Sequence, residues 1–524
     1  MTFLTNLKDL KTQIVLAFFA VGFGLIKSLS DFVYEQNIVG VDVVRSVGYG
    51  LGCYAVLNLL LALSGVDWKA KPTAMPSCRL WGIFFAGFLI LHTVCWLTFW
   101  PANISQDNIW ILYSGLWQGS NHPILYVAFL TLLREIGLFF GSMHYGILAY
   151  TALQILAVDA FMAYLLTWIY KKSIPGIMKA LFTAYYFAVP AFSVMSVNMI
   201  KDTPWAIAIS VLSLALYEII SAAAKGEKKR HLALYISLFF VIILRNNGIY
   251  IAIATVLAIL FAGRRLWKTA AKAFAVIVVA QAICFGAMRA TNCRQLFSEM
   301  VGVPIQQVLA TVNADGAITD EQKTFLAQIA EPQYMKRYYN PYSSDSFRWG
   351  NLDYKRDFLE AHRLEFLKVW AQMLPNNFGI YTKAYLQAVY WWWAPRQEGT
   401  VDIRWPILHV PNIDKFIAQN NLKPAPIIGG DAGSFLRRWY GYDKNFLREG
   451  VMVWLLLAMA LLYGLKRRKW QPLLIYVPCL ALWLTLMVAA PVASSVRYIY
   501  AYMYLLPFFA TALFADSSDE KELA

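Results

Sequence analysis

Apolar runs long enough to cross a bilayer recur through this 524-residue chain. A run of about 17–25 such residues has one common solution, a membrane-spanning helix, because in hydrocarbon the backbone must satisfy its own polar groups. Runs of this kind fall near 12–31, 43–65, 80–100, 145–170, 177–196, 203–223, 231–245, 247–263, 270–291, 449–465, 472–490 and 498–515, about twelve in all. The pair at 231–263 is too short for two upright helices of average length and reads as kinked or as penetrating partway. With 59% hydrophobic and 15% charged residues and a mean hydropathy of +0.49, the chain lies outside the soluble range. The expected fold class is therefore an all-α polytopic membrane protein. Its net charge of +15 does not suggest nucleic acid. The Lys and Arg residues gather in short loops between apolar runs, which is the positive-inside pattern, and no nucleic-acid partner is expected.

The basic clusters Lys69/Lys71/Arg79, Lys171/Lys172, Lys225/Lys228/Lys229/Arg230, Arg264/Arg265/Lys268 and Lys466/Arg467/Arg468/Lys469 then define the cytoplasmic face. Ile124 to Phe140 breaks the alternation if it spans, and it carries Arg134 and Glu135, so it reads as a helix on or dipping into the outer face. This divides the chain into N-terminal spans (1–100), a first outer loop with its surface helix (101–144), a transmembrane core (145–291), an inserted extracytoplasmic and mainly α-helical domain (292–448), and C-terminal spans (449–524). Tyr390-Trp391-Trp392-Trp393 reads as an interfacial anchor for the inserted domain. The N-terminus, with Lys8 and Lys11 before an apolar run, reads as a retained first span. Six scattered cysteines without a CxxC predict neither a disulfide framework nor a zinc site.

Four polar constellations stand out on the outward side. Ser105-Gln106-Asp107 is followed by Asn121-His122-Pro123, and Asp107 is the only formal charge between Trp100 and Pro123. Lys201-Asp202-Thr203-Pro204 sits where one span meets the next. Arg245-Asn246-Asn247-Gly248 interrupts an apolar stretch, and Arg497-Tyr498 precedes the last span. Each has a plainer reading: Asp107 as a helix cap, His122-Pro123 as a turn, Arg245 and Arg497 as snorkelling side chains, Lys201 and Asp202 as mutual neutralisers. The deduced topology puts all four on one face, and ionisable groups at membrane depth are usually functional. Two carboxylates and three cations together suit a lipid-linked phosphate, which needs charge-assisted donors, and a hydroxyl nucleophile, which needs a base.

A multi-span chain with an Asp in its first large outward loop, a His-Pro opening a surface helix, a second outward Asp and an Arg-Tyr before the last span resembles the GT-C membrane glycosyltransferases. These include the protein O-mannosyltransferases and the lipid A aminoarabinose transferases. The resemblance implies a GT-C-like fold in the bacterial plasma membrane with an outward-facing active site. It implies a polyprenyl-phosphate-sugar donor, a cell-surface glycan, lipid or protein acceptor, and bound membrane lipids. Asp107 matches the catalytic carboxylate and Asp202 the second acidic position. Asn121 and His122 open a segment, running to Tyr126, similar to the Pro-containing surface helix. Arg245, Lys201 and Arg497 are placed at the donor phosphate, with Asn246 and Tyr498 at the substrate. Val303-Pro304-Ile305-Gln306-Gln307 resembles a segment of uncharacterised bacterial relatives, and Gln306 and Gln307 are assigned to sugar hydroxyls.

The implied reaction is a single inverting displacement in which Asp107 takes the acceptor proton. No cofactor is required. A divalent Mg or Mn is compatible with two carboxylates, although the first loop lacks a DxD motif. The chain departs from the pattern in carrying at least two spans before the Asp107 loop and an inserted domain before the last three spans. A polysaccharide polymerase or ligase remains the nearest alternative, with His362 and His409 in its large loop. A lipid-linked sugar flippase or transporter is the other, without the internal repeats such proteins show.

Overall fold

The apolar runs become helices because a helix satisfies every backbone N–H and C=O within its own segment. The structure, a computed structural model, describes residues 9–35, 40–226, 231–350, 353–395, 411–422, 425–441, 448–489 and 495–515. Lys228, Lys229, Arg230, His409 and the end of the run 472–490 lie outside the described residues.

In chain order the first part comprises α1 (Leu10–Glu35), α2 (Gly40–Ser64), α3 (Ser77–Thr98), β1 (Asn103–Ile104), α4 (Gln106–Ser114), α5 (Ile124–Phe139) and α6 (Met143–Tyr170). Then come α7 (Gly176–Ala188), α8 (Pro190–Val197), β2 (Asn198–Met199), α9 (Asp202–Lys225), α10 (Leu232–Leu244), α11 (Gly248–Ala262) and α12 (Trp267–Ala290). Of the helices that follow, α13 (Gly302–Asn313) and α14 (Phe378–Ala388) belong to the inserted domain, and α15 (Glu449–Arg467), α16 (Val477–Ala489) and α17 (Tyr500–Phe514) close the chain.

Among the described residues, eight helices are long and apolar enough to cross a membrane. They become nine if α7 and α8, bent by 46° at Val189, form one span. The chain is thus an all-α, multi-pass membrane protein. The remaining apolar runs are shorter. Helices α10 and α11 have 13 and 15 residues, about 20 and 22 Å at 1.5 Å per residue against a hydrocarbon core of about 30 Å. They pack as a hairpin so close that a Cβ on Gly248 would lie 1.8 Å from the Val241 carbonyl oxygen. Helix α17 has 15 residues and is almost wholly enclosed by protein.

Buried polar contacts hold this bundle in register. Pro507 lies inside α17, where it has no N–H for the Met503 carbonyl. Tyr185 on α7 donates its hydroxyl to that carbonyl at 3.1 Å, and Tyr186 donates to the carbonyl of Tyr504. Across α3 and α6, His92 Nδ1 meets Asp159 Oδ1 with both side chains fully enclosed, and Trp81 donates to the Ala160 carbonyl at 3.1 Å.

The inserted segment from Phe297 to Tyr381 folds as short helices around its own core, including Phe297, Leu309, Phe325, Met335, Phe347, Phe366 and Met373. The aromatic run that follows differs from its expected role as an interfacial anchor. Tyr390, Trp392 and Trp393 are buried, because α15 and α16 close over them: Trp454 donates to the Trp393 carbonyl and Trp483 to that of Trp392, both at 2.9 Å.

The tightness of the α10–α11 hairpin yields a stability prediction. Gly248→Ala lowers the thermal midpoint in detergent, in line with about 1–3 kcal/mol for overpacking a closed contact. An unchanged midpoint would show that the hairpin is not packed in this way.

Candidate functional site

Two short loops are tied together before any side chain acts. Strands β1 and β2 pair in parallel, Asn103 with Asn198 and Ile104 with Met199, which sets the start of α4 beside the start of α9. Asn108 donates to the Met199 carbonyl at 2.7 Å and to the Tyr126 hydroxyl at 2.8 Å, and Tyr150 donates to the Ile200 carbonyl at 3.2 Å. Gln154 on α6 gives its amide to the carbonyls of Met195, Ser196 and Asn198, fixing the turn into β2.

On this frame Asp107 occupies the first turn of α4. The capping role belongs to Ser105, whose hydroxyl accepts the Asn108 N–H, so the plainer reading of Asp107 as the cap does not apply. Lys201 Nζ lies 3.1 Å from Asp107 Oδ2 and 3.3 Å from His122 Nδ1. Arg497, from the 3-10 turn Val496–Ile499 ahead of α17, reaches the same Oδ2 at 3.5 Å and donates to the Tyr498 hydroxyl at 3.0 Å. Arg245 sits at the apex of the α10–α11 hairpin, where the chain becomes extended (φ −150°, ψ 139°). It donates to Asp202 Oδ1 at 2.6 Å and lies between the rings of Trp205 and Tyr498, at 4.8 and 4.5 Å. The Arg497 Nε is 4.0 Å from Asp202 Oδ2.

The two carboxylates are not equivalent. Asp202 is 1% exposed and Asp107 30%, so Asp107 is the one a ligand can reach. Burial pushes the Asp107 carboxyl up, but Lys201, Arg497 and His122 outweigh it and hold the group below the ordinary carboxylate range. Burial, reinforced by Lys201, pushes His122 down to about 3, so its imidazole is neutral near pH 7. Three cations therefore face two carboxylates, leaving the cluster with an excess of positive charge.

Asn121 bonds to Gln118 at 3.3 Å and leaves its buried Oδ1 without a hydrogen bond next to His122. Asn246 is exposed at the hairpin apex. Gln306 and Gln307 lie on α13, inside the inserted domain. Their hydrogen bonds run to the carbonyls of Asn340 and Tyr381 and to the Trp370 indole, so both amides bond within the domain, and Gln306 keeps a buried Oε1 without a hydrogen bond. His362 stacks on Phe358 at 4.0 Å and bonds to its carbonyl, also within the domain.

One acid escaped the sequence reading. Glu299, on the short helix Phe297–Met300, accepts from Arg348 at 3.1 Å and leaves Oε1 buried without a hydrogen bond. Burial pushes its carboxyl up against the opposing charge of Arg348, with Asp345 and, least of all, Asp107 adding to the rise. Its signal in the sequence was position, a few residues after the domain begins, where the Leu296 N–H meets the Ser120 carbonyl at 3.4 Å.

Asp107 Oδ2 faces Lys201 and Arg497 and Asp202 Oδ1 faces Arg245, and among the described residues there is no group of three or more His, Cys, Asp or Glu placed to hold a metal ion.

The pattern of a family of unknown function, DUF6020, matches residues 119–523. The chain belongs to that family. The matched range contains His122, Lys201, Asp202, Arg245 and Arg497 and begins after Asp107. No curated protein matches the chain.

The charge arrangement fixes how the fold responds to acid. His122 has a lowered folded pKa, so the unfolded chain binds more protons below about 6.5 and stability falls from there. The Asp107 carboxylate stabilises the fold above the unfolded value of about 4, and that contribution is lost as pH falls toward the folded value. Unfolding across pH is expected to show His122→Asn removing acid loss that begins below about 6.5. Asp107→Asn should lower stability at pH 7 by an amount that shrinks only below about pH 4. Identical pH profiles for wild type and both variants would contradict the geometry.

Proposed function

We propose that this protein is an integral-membrane glycosyltransferase of the GT-C type. It moves a sugar from a polyprenyl-phosphate donor to a cell-envelope acceptor at the outer face of the bacterial plasma membrane. The observation that carries this reading is the single oxygen, Asp107 Oδ2, held by Lys201 and by Arg497 from a segment 390 residues away. A carboxylate within reach of solvent, set among cations in excess, combines the two parts the reaction needs: a proton acceptor and an anion cradle.

The acceptor hydroxyl attacks the anomeric carbon as the carbon–oxygen bond to the phosphate breaks. The hydroxyl proton passes to Asp107 and the bonding pair leaves on the polyprenyl phosphate, with inversion. Paired to two cations, Asp107 is a weak base. An incoming donor phosphate competes for Lys201 and Arg497, which weakens their hold on Asp107 and raises its basicity when the substrate is present. Arg245 completes the cradle, and Asp202, enclosed and bonded to Arg245, keeps that guanidinium in place. His122, neutral and 3.3 Å from Lys201, holds the ammonium without competing for the phosphate.

The test is sugar transfer in proteoliposomes from a radiolabelled polyprenyl-phosphate donor to the native envelope acceptor. Asp107→Asn is expected to lower transfer by about 10²–10⁴ with donor binding retained. Full transfer by Asp107→Asn and by Asp202→Asn would sink the assignment and favour a flippase or a structural role for the first loop.

A further inference from the structure

At the opposite end of α9 from Asp202, about 36 Å along a 24-residue helix, the ends of three segments leave a cavity of about 740 Å³. Its apolar wall includes Ile220 on α9, Leu266 after α11 and Ile475 after α15. Five cations line it: Arg264 and Arg265 from the turn after α11, Lys466 and Arg467 from the last turn of α15, and Lys469 just beyond it. No Asp or Glu is among its described lining residues. Nothing in the site described above draws on this cavity.

A preference for basic loops on one membrane face explains cations at this end but not their convergence. The other basic cluster there behaves differently. Lys171 donates to the carbonyls of Thr73 and Met75, at 3.0 and 2.6 Å, and Lys179 to those of Lys71 and Tyr170, at 3.0 and 3.2 Å, so both cap chain ends. In the cavity, Lys466 has a comparable task, donating to the carbonyls of Leu513 and Ala515, and Arg265 donates to the Ala223 carbonyl at 3.4 Å. Arg264, Arg265 and Lys469 are exposed and all three line the cavity. Gly263, at φ 147°, makes the bend that brings both arginines to the rim; this is a backbone conformation that residues with side chains rarely adopt.

We propose that this cavity is a phosphate-binding site. Its volume suits a small ligand or headgroup, for which ordinary pockets run about 300–1,000 Å³. Clustered guanidinium groups without a competing carboxylate select a phosphate, through charge-assisted and bidentate hydrogen bonds. The apolar wall below the rim suits an acyl chain, and basic pockets between spans are a known solution for anionic lipid headgroups. The phosphate is supplied either by an anionic phospholipid or by a soluble phosphate ester. This inference is independent of the proposed glycosyl transfer.

The experiment follows thermal unfolding of the full chain in neutral detergent as ligand is added, since a ligand that binds only the folded state raises the midpoint saturably. The probes are phosphatidylglycerol and its deacylated counterpart, glycerophosphoglycerol, which share a phosphodiester. The site variant is Arg264→Gln/Arg265→Gln/Lys469→Gln, which spares the carbonyl contacts of Lys466 and gives up the longer one of Arg265 to Ala223. The control, Lys69→Gln/Lys71→Gln/Arg79→Gln, removes equal charge from exposed positions outside the cavity. A saturable rise with phosphatidylglycerol alone, weakened at least about tenfold in the site variant and kept in the control, supports a lipid headgroup. The same behaviour with both probes supports a site that also takes a free phosphate ester. No saturable rise with either probe, or equal weakening in site variant and control, overturns the proposal. If the triple site variant does not fold, Arg264→Gln and Lys469→Gln singly give the same readout.

Discussion

Asp107 Oδ2 joins three parts of the chain that are distant in sequence: the first loop, the entry to α9 and the turn before α17. An unpaired charge at membrane depth costs several kcal/mol, so Lys201 and Arg497 each need a partner. Asp107 provides one for both. Asp202 does the same for Arg245, and the 4.0 Å approach of Arg497 to Asp202 links the two pairs. The frame beneath follows the same logic. The paired strands β1 and β2, with Asn108, Tyr150 and Gln154, satisfy backbone groups that the helix breaks leave exposed.

That coupling also separates the duties of the two carboxylates. Asp202, 1% exposed and bonded to Arg245, is committed to holding the hairpin apex at the site. Asp107, 30% exposed, is poised between cations that an arriving anion can draw away. Neighbouring aromatic rings keep Arg245 oriented, since Trp205 and Tyr498 flank its guanidinium. The buried run from Tyr390 to Trp393 supports this from behind, through the contact of Trp392 with Tyr498 at 5.8 Å.

The membrane-spanning character was legible because hydropathy over twenty residues depends on composition alone. The short hairpin α10–α11 was also legible, from the length of 231–263 and its polar break. Asp107, Lys201, Asp202, Arg245 and Arg497 were legible because a lone charge in an apolar setting is conspicuous, and the structure brings all five together. Contacts made by ordinary residues were not. Gln306 and Gln307 carry no sign in sequence of whether an amide faces a ligand or a domain core, and both bond within the domain. Trp391 and its neighbours have the composition of an interfacial belt, and only the closure of α15 and α16 turns them inward. His92 and Asp159 passed unremarked because one polar residue barely lowers the mean of an apolar run. The cost of an ionisable group within a span was the signal that could have found them.

The most direct test of the account is an experimental structure of the full chain with a polyprenyl phosphate bound. The account predicts the phosphate within hydrogen-bonding distance of Lys201 and Arg497, with the contact between Asp107 and at least one of those cations lengthened. A phosphate bound away from these residues, with the Asp107–Lys201–Arg497 cluster unchanged, would contradict it.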